Sequence, residues 1–253
     1  MTGRLTVIGL GPGDPHYLTA AAKSALFEAT DLIGYHAYLA RVPEWAGQTR
    51  HASDNRVEVD RARHALSLAA DGRRVAVVSG GDPGVFAMAA AVFEALEAGP
   101  VAWRSLDISI EPGITAMLAA AARVGAPLGG DFCAISLSDN LKPWEVIVQR
   151  LDAALSVGFA VALYNPISKA RPWQLDAALE IARARLPART PVVLARAVGR
   201  PDERIEILPL SDMKGDMADM ATIVIIGTST TRLIDREGAP PFVYTPRSVE
   251  PPA

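Results

Sequence analysis

The residues with the clearest chemical potential form a glycine-rich segment, residues 79–86, which reads Ser-Gly-Gly-Asp-Pro-Gly-Val-Phe. It follows an apolar run that is typical of a buried strand and precedes a helical pattern. Gly80 and Gly81 would let the backbone approach a ligand that a β-carbon would exclude. Asp82 could accept hydrogen bonds from such a ligand or cap the helix, which is predicted to begin at Pro83. The segment is therefore either a ligand-binding turn or a tight connection between a strand and a helix.

A second glycine-rich loop, residues 9–14 (Gly-Leu-Gly-Pro-Gly-Asp), also follows a strand-like run and precedes a helix. A dinucleotide fingerprint occupies the same position but requires G-x-G-x-x-G, and here Asp14 stands in place of the third glycine. Pro12 removes an N–H donor from the turn, and an acidic side chain at the helix entrance suits a pyrophosphate poorly. The pattern argues against a nicotinamide or flavin oxidoreductase. It favours an uncharged or zwitterionic ligand, or a simple turn.

Composition narrows the class of protein. The 253 residues are 50% hydrophobic with a net charge of −3, which suits one large or two small globular domains and gives no reason to expect nucleic acid or an anionic membrane as partner. No apolar stretch reaches the roughly 18 residues that span a bilayer. The single Cys133 cannot form an internal disulfide, and with four scattered histidines it builds no zinc site, so no metal is expected. With no signal-peptide pattern at the N-terminus, we expect a cytoplasmic protein.

Short β-branched runs alternate with helical patterns along both halves of the chain, which predicts an α/β fold. The predicted strands are residues 5–8, 31–35, 75–78, 108–110, 133–137, 159–164, 192–195, 204–208 and 222–226, and the predicted helices begin at residues 18, 62, 83, 114, 143 and 172. Residues 204–208 alternate charged and apolar side chains, so an exposed, antiparallel strand is expected there. We expect two domains, residues 1–113 and 114–240, each with a mixed, mostly parallel sheet flanked by helices. A loose proline-rich tail is expected over residues 241–253.

Three segments together resemble the signatures of the tetrapyrrole methylases. They are residues 8–15 (Ile-Gly-Leu-Gly-Pro-Gly-Asp-Pro, followed by Leu18-Thr19), residues 79–83 and residues 111–116 (Glu-Pro-Gly-Ile-Thr-Ala). Their order and spacing agree across nearly the whole chain. The resemblance implies two α/β domains with a ligand cleft between them, S-adenosylmethionine bound there in a folded conformation with S-adenosylhomocysteine as its product, and a homodimer.

Further segments resemble one branch of that family, the precorrin-3B C-17 methyltransferases. They are residues 136–144 (Ser-Leu-Ser-Asp-Asn-Leu-Lys-Pro-Trp), residues 164–168 (Tyr-Asn-Pro-Ile-Ser, with Arg171) and residues 196–200 (Arg-Ala-Val-Gly-Arg). This resemblance implies methylation of an anionic tetrapyrrole at C-17 with contraction of the ring and extrusion of the C-20 meso carbon, in cobalamin synthesis. Residues 85–88 depart from the family pattern, in which an aromatic residue is followed by glycine, and this puts the packing of the helix start in doubt.

The resemblance also implies roles for individual residues. The donor-binding residues that it implies are Pro12, Gly80, Gly81, Asp82, Val85, Thr115, Ala116, Asn165, Ala197 and Thr222. Because the chain is mildly acidic, local cations must bind the carboxylates of the acceptor, and the candidates are Lys142, Lys169, Arg171, Arg196 and Arg200. Ring contraction requires proton transfers, for which Ser138, Asp139 and His36 are the candidate catalytic residues. Several of these residues also have a purely structural alternative. Asp82 could be only a helix cap, and Thr115 and Thr222 could be ordinary residues at the ends of elements. The five cations could be solvated side chains on loops, and His36 a partly exposed loop histidine.

Methyl transfer from a sulfonium needs alignment and exclusion of water more than covalent help, so a glycine-rich site without a catalytic triad suits it. Three other functions stay open at this point. They are a sibling methylase acting on precorrin-2 or precorrin-4, a diphthine-synthase-like protein methyltransferase, and a non-catalytic nucleotide-binding or regulatory protein.

Overall fold

Two five-stranded sheets organise the chain, one in each of two units that divide between Thr115 and Ala116. The computed structural model describes residues 3–54 and 57–248. This division lies close to the domain boundary that we expected at residue 113. The first unit contains β1 (Arg4–Gly9), α1 (Ala20–Glu28), β2 (Asp31–Tyr35), α2 (His36–Leu39), β3 (Thr49–Ser53), α3 (Glu58–Ala70), β4 (Arg74–Ser79), α4 (Met88–Ala98) and β5 (Asp107–Glu111), with short 3₁₀ turns at Pro15–Tyr17 and Val101–Ser105.

The first sheet is parallel throughout, with the strand order β3-β2-β4-β1-β5. Side chains of α1 and α2 pack on one face with Ile8 and Val78, and side chains of α3 and α4 pack on the other with Val7 and Val77. The chain therefore leaves the neighbouring strands β1 and β4 towards opposite faces. In open α/β sheets this divergence opens a crevice at the carboxyl ends of the strands, where ligands bind.

The helix after β4 begins later than the sequence suggested. It was expected to begin at Pro83 with Asp82 as its cap, but α4 begins at Met88 and its N-cap residue, Ala87, makes no side-chain cap bond. Phe86 has a φ of 52°, in the left-handed region, and Ala87 is extended, so neither residue can continue a helix. The expectation that Asp82 caps this helix is wrong.

The second unit contains α5 (Ala116–Val124), β6 (Gly125–Ala126), β7 (Phe132–Ser136), α6 (Trp144–Ser156), β8 (Ala160–Tyr164), α7 (Gln174–Arg185), β9 (Pro191–Arg196), β10 (Arg204–Pro209), β11 (Thr222–Ile226), β12 (Arg232–Arg236) and β13 (Ala239–Tyr244), with a 3₁₀ turn at Gly215–Met217. Its main sheet is mixed, in the order β10-β9-β11-β8-β7. Strands β7 and β8 pair in parallel, and β11 lies antiparallel between β9 and β8. The carboxyl ends of β7, β8 and β9 and the amino end of β11 therefore meet at one edge, called here the second-sheet edge. The expected antiparallel strand at residues 204–208 is confirmed by β10.

The expected loose tail is wrong for part of its length. Strand β13 pairs with β12 and, in parallel, with β6 in a small third sheet. Val243 is buried, and the Thr245 hydroxyl donates a hydrogen bond to the Pro127 carbonyl at 2.6 Å. Strand pairing satisfies backbone polar groups of this segment despite its prolines. Residues 249–253, the remainder of the expected tail, lie outside the described residues.

Each unit has its own apolar core, built from both faces of its sheet and the helices that cover them. Cys133 is half-buried on β7, and burial raises the pKa of its thiol, as expected for a core residue rather than a nucleophile. Within residues 3–54 and 57–248, no helix combines the length and the apolar character needed to cross a membrane.

Candidate functional site

Glycines from the three signature segments pack backbone against backbone at the carboxyl edge of the first sheet. Gly11 and Gly81 exchange two hydrogen bonds, with N–O distances of 3.1 and 2.9 Å. A β-carbon on Gly9 would lie 2.6 Å from the nitrogen of Gly113 and 2.7 Å from the oxygen of Gly81. Real β-carbons do not approach backbone atoms so closely, so only glycine fits at Gly9. The carboxyl edge of the first sheet, where open α/β sheets place a crevice, thus has a floor of closely packed backbone.

The Asp82 carboxylate joins the second signature segment to the third. Its Oδ1 accepts a hydrogen bond from the Gly84 N–H at 2.8 Å, and its Oδ2 accepts one from the Gly113 N–H at 3.1 Å. The first bond shapes the turn after β4, and the second fastens that turn to the end of β5. Each carboxylate oxygen has a further lone pair that a ligand donor could use.

Residues just after the strands adopt strained backbone conformations. Among the residues that the structure describes, the non-glycine residues with positive φ are Phe86 at 52°, Asn165 at 50° and Ala197 at 50°. Such conformations cost roughly 1–3 kcal/mol and are concentrated at ligand and catalytic sites. Asn165 and Ala197 are expected donor-binding residues, and Phe86 follows another, Val85.

Arg41 supports the first glycine loop. Its Nη2 donates hydrogen bonds to the carbonyl oxygens of Leu10 and Gly11, at 3.0 and 2.9 Å. Pro12, the next residue, is buried. Sequence reasoning missed Arg41 because it lies in an irregular segment whose pattern carries no signal.

Three expected donor-binding residues of the second unit lie side by side at the second-sheet edge. Thr222 pairs with Arg196, and the Ala197 N–H donates to the Ala221 carbonyl at 2.9 Å. Strand β11 pairs with β8 from Val224, opposite Leu163, so Thr222 and Asn165 both lie just beyond that pair at the same edge. No pattern in the sequence predicts that these three residues lie near one another. Their proximity depends on the insertion of β11, antiparallel, between β8 and β9.

Arg196 has both ends of its guanidinium engaged by carboxylates. Its Nε donates to Asp219 and its Nη1 to Asp202, each at 2.7 Å. Burial alone would raise the pKa of Asp219, but the hydrogen bonds from Arg196 and Thr222 outweigh it and lower that pKa. Arg196 therefore positions the loops at this edge, and its geometry supports that role rather than direct contact with a substrate carboxylate.

The candidate catalytic residue Asp139 sits in a network of buried donors. Gln174, which is 1% exposed, donates from Nε2 to Asp139 Oδ2 at 3.1 Å. Arg171 is also buried, with its Nε 4.0 Å from Asp139 Oδ1 and its Nη1 donating to the Asn165 carbonyl at 3.2 Å. Asn165 in turn donates to the Ser136 hydroxyl at 3.0 Å. Arg171 thus links the two loops that follow β7 and β8.

The remaining candidates occupy varied environments. Ser138 is partly buried beside Asp139, whereas Lys169 and Arg200 are exposed. Burial and the positive charge of Arg150 lower the pKa of Lys142. In the first unit, Thr115 is buried.

His36 and Ala116 both lie at the starts of helices. His36 is exposed at the start of α2, with its Nε2 3.7 Å from Asp54 Oδ1. Ala116 opens α5, in which the N–H of the next residue, Met117, donates to the Tyr164 hydroxyl at 3.1 Å. Across residues 3–54 and 57–248, no three His, Cys, Asp or Glu side chains gather in a way that could hold a metal ion.

A family comparison decides what this arrangement belongs to. The model of the tetrapyrrole (corrin/porphyrin) methylases matches residues 4–214. The chain belongs to this family. The resemblance that the three signature segments indicated is confirmed, and so is the expected α/β fold class.

Individual tetrapyrrole methylases resemble the chain closely. A precorrin-3B C(17)-methyltransferase from Sinorhizobium sp. is 59% identical over 98% of this chain and 97% of its own length. A probable cobalt-factor III C(17)-methyltransferase from Salmonella typhimurium is 38% identical over 95% of this chain and 99% of its own. The crystal structure of the methyltransferase CobJ superimposes with a TM-score of 0.91 and 55% identity, over 96% of this chain and 100% of that one.

Proposed function

We propose that this chain transfers a methyl group from S-adenosylmethionine to C-17 of precorrin-3B and promotes contraction of the macrocycle. The observation that carries the proposal is the 59% identity to the relative of that name, over nearly the full length of both chains. The backbone-lined crevice of the first sheet and the strained residues of the second-sheet edge support it, because both suit a small ligand at close approach.

The glycines at the carboxyl edge of the first sheet suit S-adenosylmethionine, the methyl donor that this family uses. When bound, S-adenosylmethionine supplies a methyl group that is already activated on a positively charged sulfur. Gly80, Gly81 and Pro12 would line the donor with backbone and one small ring, and Asp82 would accept hydrogen bonds from its polar groups. In the second unit, Asn165, Ala197 and Thr222 would contribute from neighbouring strands, and Val85, Thr115 and Ala116 stay proposed contacts.

The chain's own contribution to methyl transfer is alignment. Holding the acceptor carbon in line with the donor methyl can contribute roughly 7–11 kcal/mol in favourable cases. Asp139 accepts a hydrogen bond from the buried Gln174 and faces the buried Arg171 guanidinium at 4.0 Å. We therefore propose it as the carboxylate that moves a proton during ring contraction. Ser138 and His36 are the other proposed participants. Lys142, Lys169 and Arg200 are proposed to bind substrate carboxylates.

Whether the acceptor contains cobalt separates two candidate substrates. The relative named for precorrin-3B is 59% identical to this chain, and the one named for cobalt-factor III is 38% identical. This difference favours the cobalt-free acceptor, so precorrin-3B is the proposed substrate.

A transfer assay with each acceptor tests the proposal. The purified protein is incubated with isotopically labelled S-adenosylmethionine and, in separate reactions, precorrin-3B, cobalt-factor III, precorrin-2, precorrin-4 or a cell protein extract. The products are analysed by mass spectrometry. We expect faster labelling of precorrin-3B. Labelling only of precorrin-2 or precorrin-4 would show a sibling methylase, and labelling of protein alone a diphthine-synthase-like enzyme. Purified protein that binds no S-adenosylhomocysteine would favour a non-catalytic role.

A homodimer and a cytoplasmic location are further proposals that follow from the family resemblance and from the composition. Light scattering on the purified protein would give a mass of about twice 26.8 kDa for the dimer. A mass of one chain at micromolar concentration would contradict it. Fractionation of the source cells would test the location.

A further inference from the structure

Two tryptophans meet at the starts of neighbouring helices in the second unit. Trp144 is the first residue of α6, and Trp173 precedes the first residue of α7. Their rings lie edge to face, with centroids 4.9 Å apart and an interplanar angle of 75°. Each follows a proline, so the entry of both helices is conformationally restricted.

The pair lies at the second-sheet edge. Helices α6 and α7 follow the parallel strands β7 and β8, so their first residues lie near the carboxyl ends of those strands. Gln174, the residue after Trp173, donates its hydrogen bond to Asp139. The aromatic pair is therefore adjacent in the chain to the proposed proton-transfer network.

The pair presents exposed apolar surface, and an exposed leucine precedes it in the chain on the loop before α6. Trp144 packs partly against the core, but Trp173 is 48% exposed and Leu141 is 98% exposed. Large apolar side chains grouped at a polar rim mark binding surfaces rather than ordinary surface. A ligand that covers them would need a broad apolar face.

The charged side chains near the tryptophan pair indicate the sign of the charge that such a ligand would carry. Lys142 and Arg150 lie close enough for their charges to oppose each other, which together with burial lowers the pKa of Lys142. Lys169 is exposed on the loop that leads to Trp173, and Glu145 is the acidic residue in the first turn of α6. Lys142, Arg150 and Lys169 outnumber the acidic Glu145, which favours an anionic ligand.

We propose that Trp144, Trp173 and Leu141 form a subsite for one face of a polycarboxylated tetrapyrrole, with Lys142 and Lys169 binding carboxylates at its rim. The inference rests on the proposed function and adds to it the surface that holds the acceptor. The macrocycle offers the broad face, and its acidic side chains offer the charge. The subsite would set acceptor affinity without taking part in bond making.

Porphyrin binding to the full-length chain tests the subsite. Uroporphyrin, a stable polycarboxylated tetrapyrrole, is titrated into the protein, and its affinity is measured from the change in porphyrin absorbance. Trp173→Ala should weaken binding at least about fivefold, because it removes the exposed aromatic face, and Trp173→Phe should restore most of it. Lys142→Gln should weaken binding and reduce its dependence on salt.

Two further variants guard against loss of folding. Leu141→Ser removes an apolar side chain from the proposed subsite, so it should weaken porphyrin binding. Because that side chain is almost fully exposed, the unfolding midpoint should not change. Trp45→Ala is the matched control, because Trp45 forms an edge-to-face pair with Phe27 in the first unit, with centroids 5.9 Å apart. Porphyrin affinity should be unchanged in that variant.

The outcomes separate this inference from the proposed function. Wild-type affinity in both Trp173→Ala and Leu141→Ser, an equal loss in Trp45→Ala, or no porphyrin binding by the wild type would each overturn the subsite. If Trp173→Ala methylates precorrin-3B with an unchanged KM, the subsite fails while the methyltransferase stands. Binding through the pair by a protein that transfers no methyl group to any precorrin would support the subsite and contradict the proposed function.

Discussion

The Asp82 carboxylate has a structural task that can be separated from ligand binding. It accepts the N–H groups of Gly84 and Gly113 and so holds the turn after β4 against the end of β5. A change at Asp82 should therefore displace the glycine floor of the crevice as well as remove a ligand acceptor. Its effect on donor binding should exceed its effect on stability.

Asp82→Ala is predicted to weaken S-adenosylhomocysteine binding at least about a hundredfold, or about 2.8 kcal/mol, and to lower the free energy of unfolding by about 1–2 kcal/mol. Calorimetric titration and urea unfolding measure the two effects. Thr19→Ala is the matched control, since Thr19 caps α1 through a 3.1 Å bond to the Ala22 N–H. It should cost about 1 kcal/mol and leave donor affinity unchanged. Unchanged donor affinity in Asp82→Ala would reduce Asp82 to a turn residue.

Gln174→Leu is predicted to lower kcat about tenfold or more while leaving S-adenosylhomocysteine affinity near wild type. The substitution removes the buried amide that donates a hydrogen bond to Asp139 and so orients it. It changes none of the residues proposed to bind S-adenosylmethionine. Steady-state formation of the ring-contracted product and calorimetry measure the two quantities. Gln174→Asn, which retains an amide on a shorter side chain, should recover part of the rate. Equal kcat in Gln174→Leu and wild type would remove Asp139 from the proton-transfer step.

At the scale of elements, the loop after β9 depends on one carboxylate. Glu203 accepts hydrogen bonds from Arg123 on α5 at 2.8 Å and from the Gly199 N–H at 2.6 Å. The Arg123 bond is the main reason that the pKa of Glu203 is lowered. A carboxyl group whose pKa is lower in the folded protein stabilises it above its unfolded pKa, and that contribution is lost as the pH falls through the folded pKa.

Glu203→Gln is therefore predicted to lower the free energy of unfolding at pH 7 by about 1 kcal/mol, a modest amount because Arg123 is partly exposed. The difference from wild type should shrink below about pH 4, near and beneath the usual pKa of a glutamate. Urea unfolding across this pH range measures it. Glu180→Gln, which changes a largely exposed partner of Arg183, should show little difference at any pH. A Glu203→Gln difference that is constant with pH would contradict the role of the carboxylate charge.

The third sheet makes the C-terminal strand part of the second unit. Val243→Ala is predicted to lower the free energy of unfolding by about 2 kcal/mol, because Val243 is buried where β13 pairs with β6. Phe242→Ala, at the neighbouring exposed position, should cost less than about 1 kcal/mol, mainly its contact with the Arg236 guanidinium 4.0 Å from the ring centroid. Urea unfolding compares them. If both substitutions changed the free energy of unfolding negligibly, the C-terminal segment would be a loose tail after all.

At the scale of the whole molecule, sequence patterns located the strands that carry strong apolar runs. The β1, β4, β8 and β11 runs are buried and continuous, and each was predicted. Strands β3, β12 and β13 were missed because nearly all of their side chains are exposed or only partly buried, and such strands carry little hydrophobic periodicity. Strand order, including the insertion of β11, depends on long-range packing that no local window contains.

The residues of the candidate site likewise divide into those that the sequence identified and those that only the structure shows. Its glycines and Asp82 lie in short segments whose composition identified them before the fold was known. Arg41 and Gln174 could not be found, because each acts on a residue far from it in sequence, 30 and 35 positions away in the bonds to Gly11 and Asp139. Arg196 and Arg171 were identified as cations, but their carboxylate partners became visible only in the structure.

The position of the transferred carbon tests the proposed function most directly. Incubating the protein with precorrin-3B and S-adenosylmethionine that carries a ¹³C-labelled methyl group, followed by NMR of the product, locates that methyl. We expect the label on C-17 and a macrocycle that no longer contains C-20. A label on another ring carbon, or a C-17-methylated product with C-20 still in the ring, would contradict it.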